Sequence, residues 1–256
     1  MKPLPRVNKF IAQPKVFAKA AVVMDEESGT IIFSKNPDLR LHPASITKIA
    51  TAAVALNLYP AEEIITVKNA YPIGKNMELI AGEVITVGNL VYGLLVHSAN
   101  DAAYVLAGQS ENEVKKFILE MNNFVEQLNL RNTHFANFDG EDDENHYSSA
   151  WDLAYLAKKA LENKTFSEAV RINEITIKSV DEKTEHKLVS TNELLGVITE
   201  VRGVKTGWTP ESGESFVGLL DLNGHQVITV VLNSSDRFGD TKRIIAWLKE
   251  AVLWGD

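Results

Sequence analysis

The chain contains no cysteine. Disulfides, thiolate metal sites and a cysteine nucleophile are therefore excluded together. It also lacks any apolar run near the roughly 18 to 20 residues that a membrane-spanning helix requires. Positive charge is scarce: Lys and Arg number 26 against 34 Asp and Glu, a formal net charge of −8. A nucleic-acid surface needs clustered Lys and Arg, so no nucleic-acid partner is expected. Met1 to Ala20 carries five basic residues and no apolar segment, so it does not read as a signal peptide. With 45% hydrophobic and 23% charged residues over 256 positions, what remains is a globular chain able to bury a large core.

The hydrophobic pattern changes period along the chain. Ala20–Asp25 and Thr30–Phe33 are β-rich and separated by Glu26-Glu27-Ser28-Gly29, which predicts an opening hairpin. From Ser45 to about Leu58, Ile46, Ile49, Ala53 and Leu56 recur at helical spacing, and Pro60 closes the run. Helical patterns follow around Leu90–Leu95, Ala102–Ala107 and, after the capping signature Ser110…Glu113, along Val114, Phe117, Ile118, Met121, Val125 and Leu128. Ser149–Leu161 predicts a further helix, and Phe138–Tyr147 an acidic loop. Strands return in the last third: two modest ones at Ile175–Val180 and Lys187–Ser190, then Phe216–Leu220 and Val227–Leu232 joined across Asn223-Gly224. Asp240–Val252 predicts a closing amphipathic helix.

Strands at both ends with helices between them predict an α+β fold. The expected architecture is an antiparallel sheet flanked by helices, with an all-helical lobe inserted at about residues 60–165. Residues 1–19 read as an N-terminal extension and 20–256 as a single domain. A cleft between lobe and sheet is the expected site.

Three short motifs fall in order along the chain: Ser45-Ile46-Thr47-Lys48, Ser98-Ala99-Asn100 and Lys205-Thr206-Gly207. Each alone is unspecific; together they have a chemical logic. Ser45 opens a helix, near free backbone N–H groups, and Lys48 lies one turn on along the same face. A serine hydroxyl needs a base, and a lysine serves if burial and a neighbouring cation lower its pKa. Lys205 is the candidate cation. Ser98 can relay a proton to a leaving amine, and Asn100 can hold the substrate amide and Lys48. Lys205 and Thr206 suit a carboxylate, and Gly207 allows substrate backbone to come close.

This motif set resembles that of class A β-lactamases and penicillin-binding proteins. The longer stretches Pro43–Lys48, Ser98–Ala103, Asn132–Phe135, Tyr147–Leu153, Asn192–Leu195 and Gly203–Thr209 resemble the low-molecular-mass D-alanyl-D-alanine carboxypeptidases. The resemblance covers about Ala20–Trp254. It implies an acyl-enzyme on Ser45, an oxyanion hole from the backbone N–H groups of Ser45 and Trp208, and a substrate-carboxylate contact from Arg237. It also implies peptidoglycan stem peptides as substrate, β-lactams as inhibitors, no cofactor and an extracytoplasmic location. Because Met1-Lys2 runs directly into a polar segment, the encoding gene is expected to specify a signal or anchor upstream, and any membrane association to reside in such segments.

Asp139-Gly140-Glu141-Asp142 departs from the His-Gly-Leu-Asp usual in this family, and Trp208 stands where relatives often carry a His or another bulky residue. A β-lactamase, a crosslink endopeptidase and a non-catalytic β-lactam sensor share the acylation parts and stay open as alternatives. No metal is expected. His42, His97, His134, His146, His186 and His225 are scattered without ligand spacing, and Glu141–Glu144 lacks the Gly and distal Glu of a calcium loop. Trp151, Trp247 and Trp254 read as packing residues.

Overall fold

The computed structural model describes residues 4–71 and 73–254. In chain order the elements are β1 (Pro5–Val7), β2 (Ala20–Asp25), β3 (Ile31–Lys35), α1 (Lys48–Leu58), β4 (Ile64–Thr66), β5 (Val84–Thr86), α2 (Val87–Tyr92) and α3 (Asn100–Leu106). They continue with α4 (Glu111–Gln127), α5 (Ala150–Leu161), α6 (Lys164–Ala169), β6 (Glu174–Lys178), β7 (Glu185–Val189), β8 (Val201–Thr209), β9 (Gly213–Leu222), β10 (His225–Ser234), α7 (Arg237–Ala251) and β11 (Val252–Trp254).

The main sheet has the order β3-β2-β10-β9-β8, all antiparallel. Its period-two alternation is apolar on both faces, because both are covered. Val22 and Met24 of β2, and Ile228 and Val230 of β10, face the core shared with α1, α5 and the lobe. Ala21, Val23, Val227 and Val231 face the second core, under α7, where Phe33 and Trp247 meet at 5.9 Å. The β9–β10 turn is Asn223-Gly224, with φ of 55° and 87°, the left-handed pair that a tight hairpin demands. β8 carries the Lys-Thr-Gly motif and forms a free edge of the sheet, beside the turn that holds Ser45.

The fold expected from the sequence is the one observed, with three differences of detail. The expected N-terminal extension, residues 1–19, is packed onto the domain where it is described: β1 pairs with β11, and the backbone N–H groups of Phe17 and Ala18 donate to the Asp240 carboxylate. The inserted lobe is not all helical, since β4 and β5 form a short antiparallel pair within it. Nor does it extend as one body to residue 165, because α5 packs on β2 and β10. The pattern of α5, with Ala150, Leu153, Ala154 and Ala157 buried, suits a helix lying flat on a sheet.

Candidate active site

Ser45 lies in a tight 3-10 turn, Ala44–Thr47, that runs into α1. Ala44, the residue before it, has φ of 50°, a left-handed conformation a non-glycine residue adopts at some cost. The turn is held from two sides by glycines. A Cβ on Gly140 would lie 2.0 Å from the Ala44 carbonyl oxygen, and one on Gly207 would lie 2.9 Å from that of Pro43. Gly207 therefore admits the nucleophile turn against β8; the sequence reading had given it to substrate backbone.

Lys48 is wholly buried. Its ammonium donates to Ser45 Oγ at 3.0 Å and to the Asp139 carbonyl oxygen at 2.6 Å. Burial lowers its pKa to about 8, against the opposing pull of Asp139 and Glu141. A buried amine with its pKa lowered to about 8 and in contact with a serine hydroxyl has the posture of a general base.

The second motif is presented by an irregular turn. Gly93–His97 winds more widely than an α-helix and ends at Ser98, whose φ of 65° reverses the chain before α3 begins at Asn100. Ser98 Oγ accepts a hydrogen bond from Lys205 Nζ at 2.8 Å, and the Lys205 ammonium also donates to the Thr206 carbonyl at 2.9 Å. Lys205 is buried, and burial first, then Lys48, Lys75 and Arg237, hold its pKa well below the usual lysine value. Burial thus disfavours the charged form of both serine-bound amines; the expected lowering of Lys48 by Lys205 is not what acts, since burial is what brings its pKa down.

Asn100 departs from expectation in part. Its side chain lies against Gly74, where a Cβ would come within 2.3 Å of Nδ2. Among the described residues no hydrogen bond joins it to Lys48; the Asp139 carbonyl takes that place. Its backbone N–H donates to the Lys75 carbonyl, which anchors the loop before α3.

At the far end of β8, Arg237 starts α7. Its guanidinium donates to the Gly207 carbonyl at 2.9 Å and stacks over Phe238 at 4.8 Å, while its backbone N–H donates to Glu214. Its Nε is buried without a partner among the described residues, and burial lowers its pKa. The Thr206 and Thr191 hydroxyls share a 2.6 Å hydrogen bond. Trp208 is 60% exposed, its ring standing beyond the motif toward solvent.

Several supporting residues carry no sequence signature. Tyr71 donates to the Asp139 carboxylate at 3.2 Å, and burial beside that carboxylate keeps the phenol protonated. His146 accepts from the Ala136 N–H on Nδ1, so its Nε2–H donates to Thr47 Oγ1 at 2.7 Å; burial lowers its pKa to about 4. These residues build the loop whose Asp139 carbonyl holds Lys48, and only a main-chain atom does that work. The packing expectation for tryptophan stands at Trp151, stacked on Tyr155 at 5.6 Å, and at buried Trp247.

A family model described as D-alanyl-D-alanine carboxypeptidase matches residues 8–236. The chain is 34% identical over 244 residues to the D-alanyl-D-alanine carboxypeptidase of Streptomyces sp. strain K15, covering 88% of this chain and 84% of that one. It is 32% identical to D-alanyl-D-alanine carboxypeptidase DacF of Bacillus subtilis, covering 85% of this chain and 58% of the relative. For DacC of Escherichia coli the figures are 30%, 94% and 63%. The chain thus spans about three-fifths of these two relatives' length. The crystal structure of the Streptomyces K15 DD-transpeptidase superposes with a TM-score of 0.87 at 33% identity, covering 93% of this chain and 98% of that one.

Proposed function

Because the chain belongs to the D-alanyl-D-alanine carboxypeptidase family of serine peptidases, we propose that it removes the terminal D-alanine from peptidoglycan stem pentapeptides. The observation that carries this reading is the buried Lys48 amine, 3.0 Å from Ser45 Oγ and brought toward neutrality by its burial. Lys48 takes the Ser45 proton as Oγ attacks the carbonyl of the penultimate D-alanine. The backbone N–H groups of Ser45 and Trp208 receive the developing oxyanion. Ser98, held by Lys205, passes a proton to the departing D-alanine amine, and Asn100 orients the substrate amide. Water then resolves the acyl-enzyme. Lys205, Thr206 and Arg237 bind the terminal carboxylate, which distinguishes this substrate from an internal peptide.

β-Lactams carry a carboxylate and a strained amide and acylate Ser45 as covalent inhibitors. The reaction needs no cofactor. Its substrate lies outside the cytoplasmic membrane, so the protein works there; among the described residues no helix is long and apolar enough to cross a membrane. The deciding assay measures D-alanine release from a pentapeptide, with and without an amine acceptor, beside labelling by a fluorescent penicillin. Release that depends on Ser45 supports the reading. Rapid multiple-turnover hydrolysis of a chromogenic cephalosporin without D-alanine release supports the β-lactamase alternative instead. Because the similar K15 protein is a DD-transpeptidase, the acceptor arm also tests transfer to an amine in place of water.

A further inference from the structure

The fold gathers a second group of chemistry-bearing side chains that none of the proposed catalytic steps uses. His42 precedes the nucleophile turn, Asp142 lies in the acidic loop and Glu211 sits in the turn between β8 and β9. One ligand atom of each lies within 4.8 Å of the others. We propose that His42, Asp142 and Glu211 form a binding site for a divalent transition ion of the Zn²⁺ class.

The orientation of His42 points to a ligand. Its Nδ1 is 3.1 Å from the His146 carbonyl oxygen, which only accepts, so Nδ1 carries the proton. In the neutral ring Nε2 then presents a bare lone pair. It makes no hydrogen bond among the described residues, and the nearest carboxylate oxygen, on Glu211, is 3.7 Å away. A ring fixed through one nitrogen by a backbone carbonyl, with the other facing carboxylates, is the usual posture of a metal-bound histidine. Asp142 is likewise steadied from outside the group, by the Thr209 hydroxyl at 2.6 Å. Without a cation, three electron-pair donors face one another. A proton on Nε2 would pair the ring with Glu211 alone, while Asp142 keeps only its bond from Thr209.

The donor set selects the metal class. One imidazole with two carboxylates suits Zn²⁺ and its neighbours, whereas Ca²⁺ takes oxygen ligands alone. Ligands of a tetrahedral Zn²⁺ lie about 3.3 Å apart, given bonds of about 2.0 Å. The carboxylates must therefore close by up to about 1.5 Å. Glu211 is exposed and free to swing, and Glu144 lines the same surface cavity as a further oxygen donor. Arg40, on the rim of that cavity, is turned away onto Asn132, the Arg131 carbonyl and the Tyr147 ring. A bound ion would tie together the segment leading to Ser45, the loop whose Asp139 carbonyl holds Lys48, and the end of the strand bearing Lys205. It is a clip outside the reacting groups, and it stands whether or not the peptidase reading does.

The test is titration of untagged protein with Co²⁺, read by its visible absorption, followed by displacement with Zn²⁺ and by thermal unfolding. Expected is saturable binding of one ion per chain. His42→Ala and Glu211→Gln should each weaken it by about tenfold or more. At a hundredfold excess over the wild-type Kd, the metal should raise the wild-type midpoint by about 5 °C and the variants' by about half of that or less. Penicillin labelling of each variant checks that it is folded. Absence of saturable binding, or equal binding by wild type and both variants (an adventitious ion only), overturns the proposal.

Discussion

Lys205 Nζ donates to Ser98 Oγ across 2.8 Å, joining residues 107 positions apart. One is on the edge strand of the sheet and the other at the exit of a wide turn in the helical lobe. The bond closes the cleft floor, and Lys48 faces Ser45 on the nucleophile's own turn. Each buried amine is thereby paired with one hydroxyl, so the two serines sit in distinct surroundings.

Ser45→Ala removes the atom that forms the acyl bond. The variant should fold, since Ser45 is only half-buried, and should show no covalent penicillin adduct on mass spectrometry. An adduct formed at the wild-type rate would refute the assignment of the nucleophile.

Acylation should follow the neutral form of Lys48. Burial depresses its pKa to about 8, so the neutral fraction grows as pH rises through that value and the acylation rate should climb from pH 6 to 9. Glu141 pulls in the opposite sense, so Glu141→Gln should move the profile to lower pH. Lys48→Arg keeps the charge and cannot release it, and should lose most activity. Rates of penicilloyl-enzyme formation across pH check all three statements.

Arg237→Ala should cut D-alanine release by about ten- to a hundredfold, the worth of one charge-assisted contact to a carboxylate of about 1.5–3 kcal/mol. Steady-state kinetics on a pentapeptide, with circular dichroism to confirm the fold, provide the measurement. An unchanged kcat/KM would remove Arg237 from the carboxylate site.

Gly207→Ala places a methyl 2.9 Å from the Pro43 carbonyl and 3.1 Å from Ala44 Cβ, so either β8 or the nucleophile turn must shift. A stability loss of about 1–3 kcal/mol is expected, with a larger fall in penicillin acylation than the stability loss alone explains. Denaturant melts and labelling rates separate the two.

Glu83→Ala should destabilise the lobe by about 2–3 kcal/mol. His186 is buried with both ring nitrogens facing acceptors, the Met77 carbonyl at 2.8 Å and the Glu83 carboxylate at 2.7 Å. Removing the carboxylate leaves a buried ring nitrogen without its partner. Chemical denaturation of the variant, at unchanged m-value, gives the number.

The elements were legible because their signals are local. The two strands across Asn223-Gly224 are declared by alternation and by a turn pair that tolerates positive φ; the α5 cap at Ser149 by a side-chain oxygen three residues from the Asp152 N–H that donates to it. The pairings of Ser45 with Lys48 and of Ser98 with Lys205 were legible because motif order survives as short runs of side chains. Three things were not legible. Asp139 holds Lys48 through its carbonyl, which every residue type possesses, so no letter in the sequence marks it. β1 pairs with a strand almost the whole chain away, and two short strands without strong alternation give no hint of each other. His42, Asp142 and Glu211 have no ligand spacing, since their closeness comes from three loops meeting at one corner of the sheet. By itself the sequence determined which side chains are available, which face of each helix or strand is apolar, and the order of the motifs. The tertiary structure alone decided which backbone atom meets which amine, how deeply each lysine is buried and therefore how far its charge is suppressed, because desolvation depends on everything packed around a group and not on its neighbours in the chain.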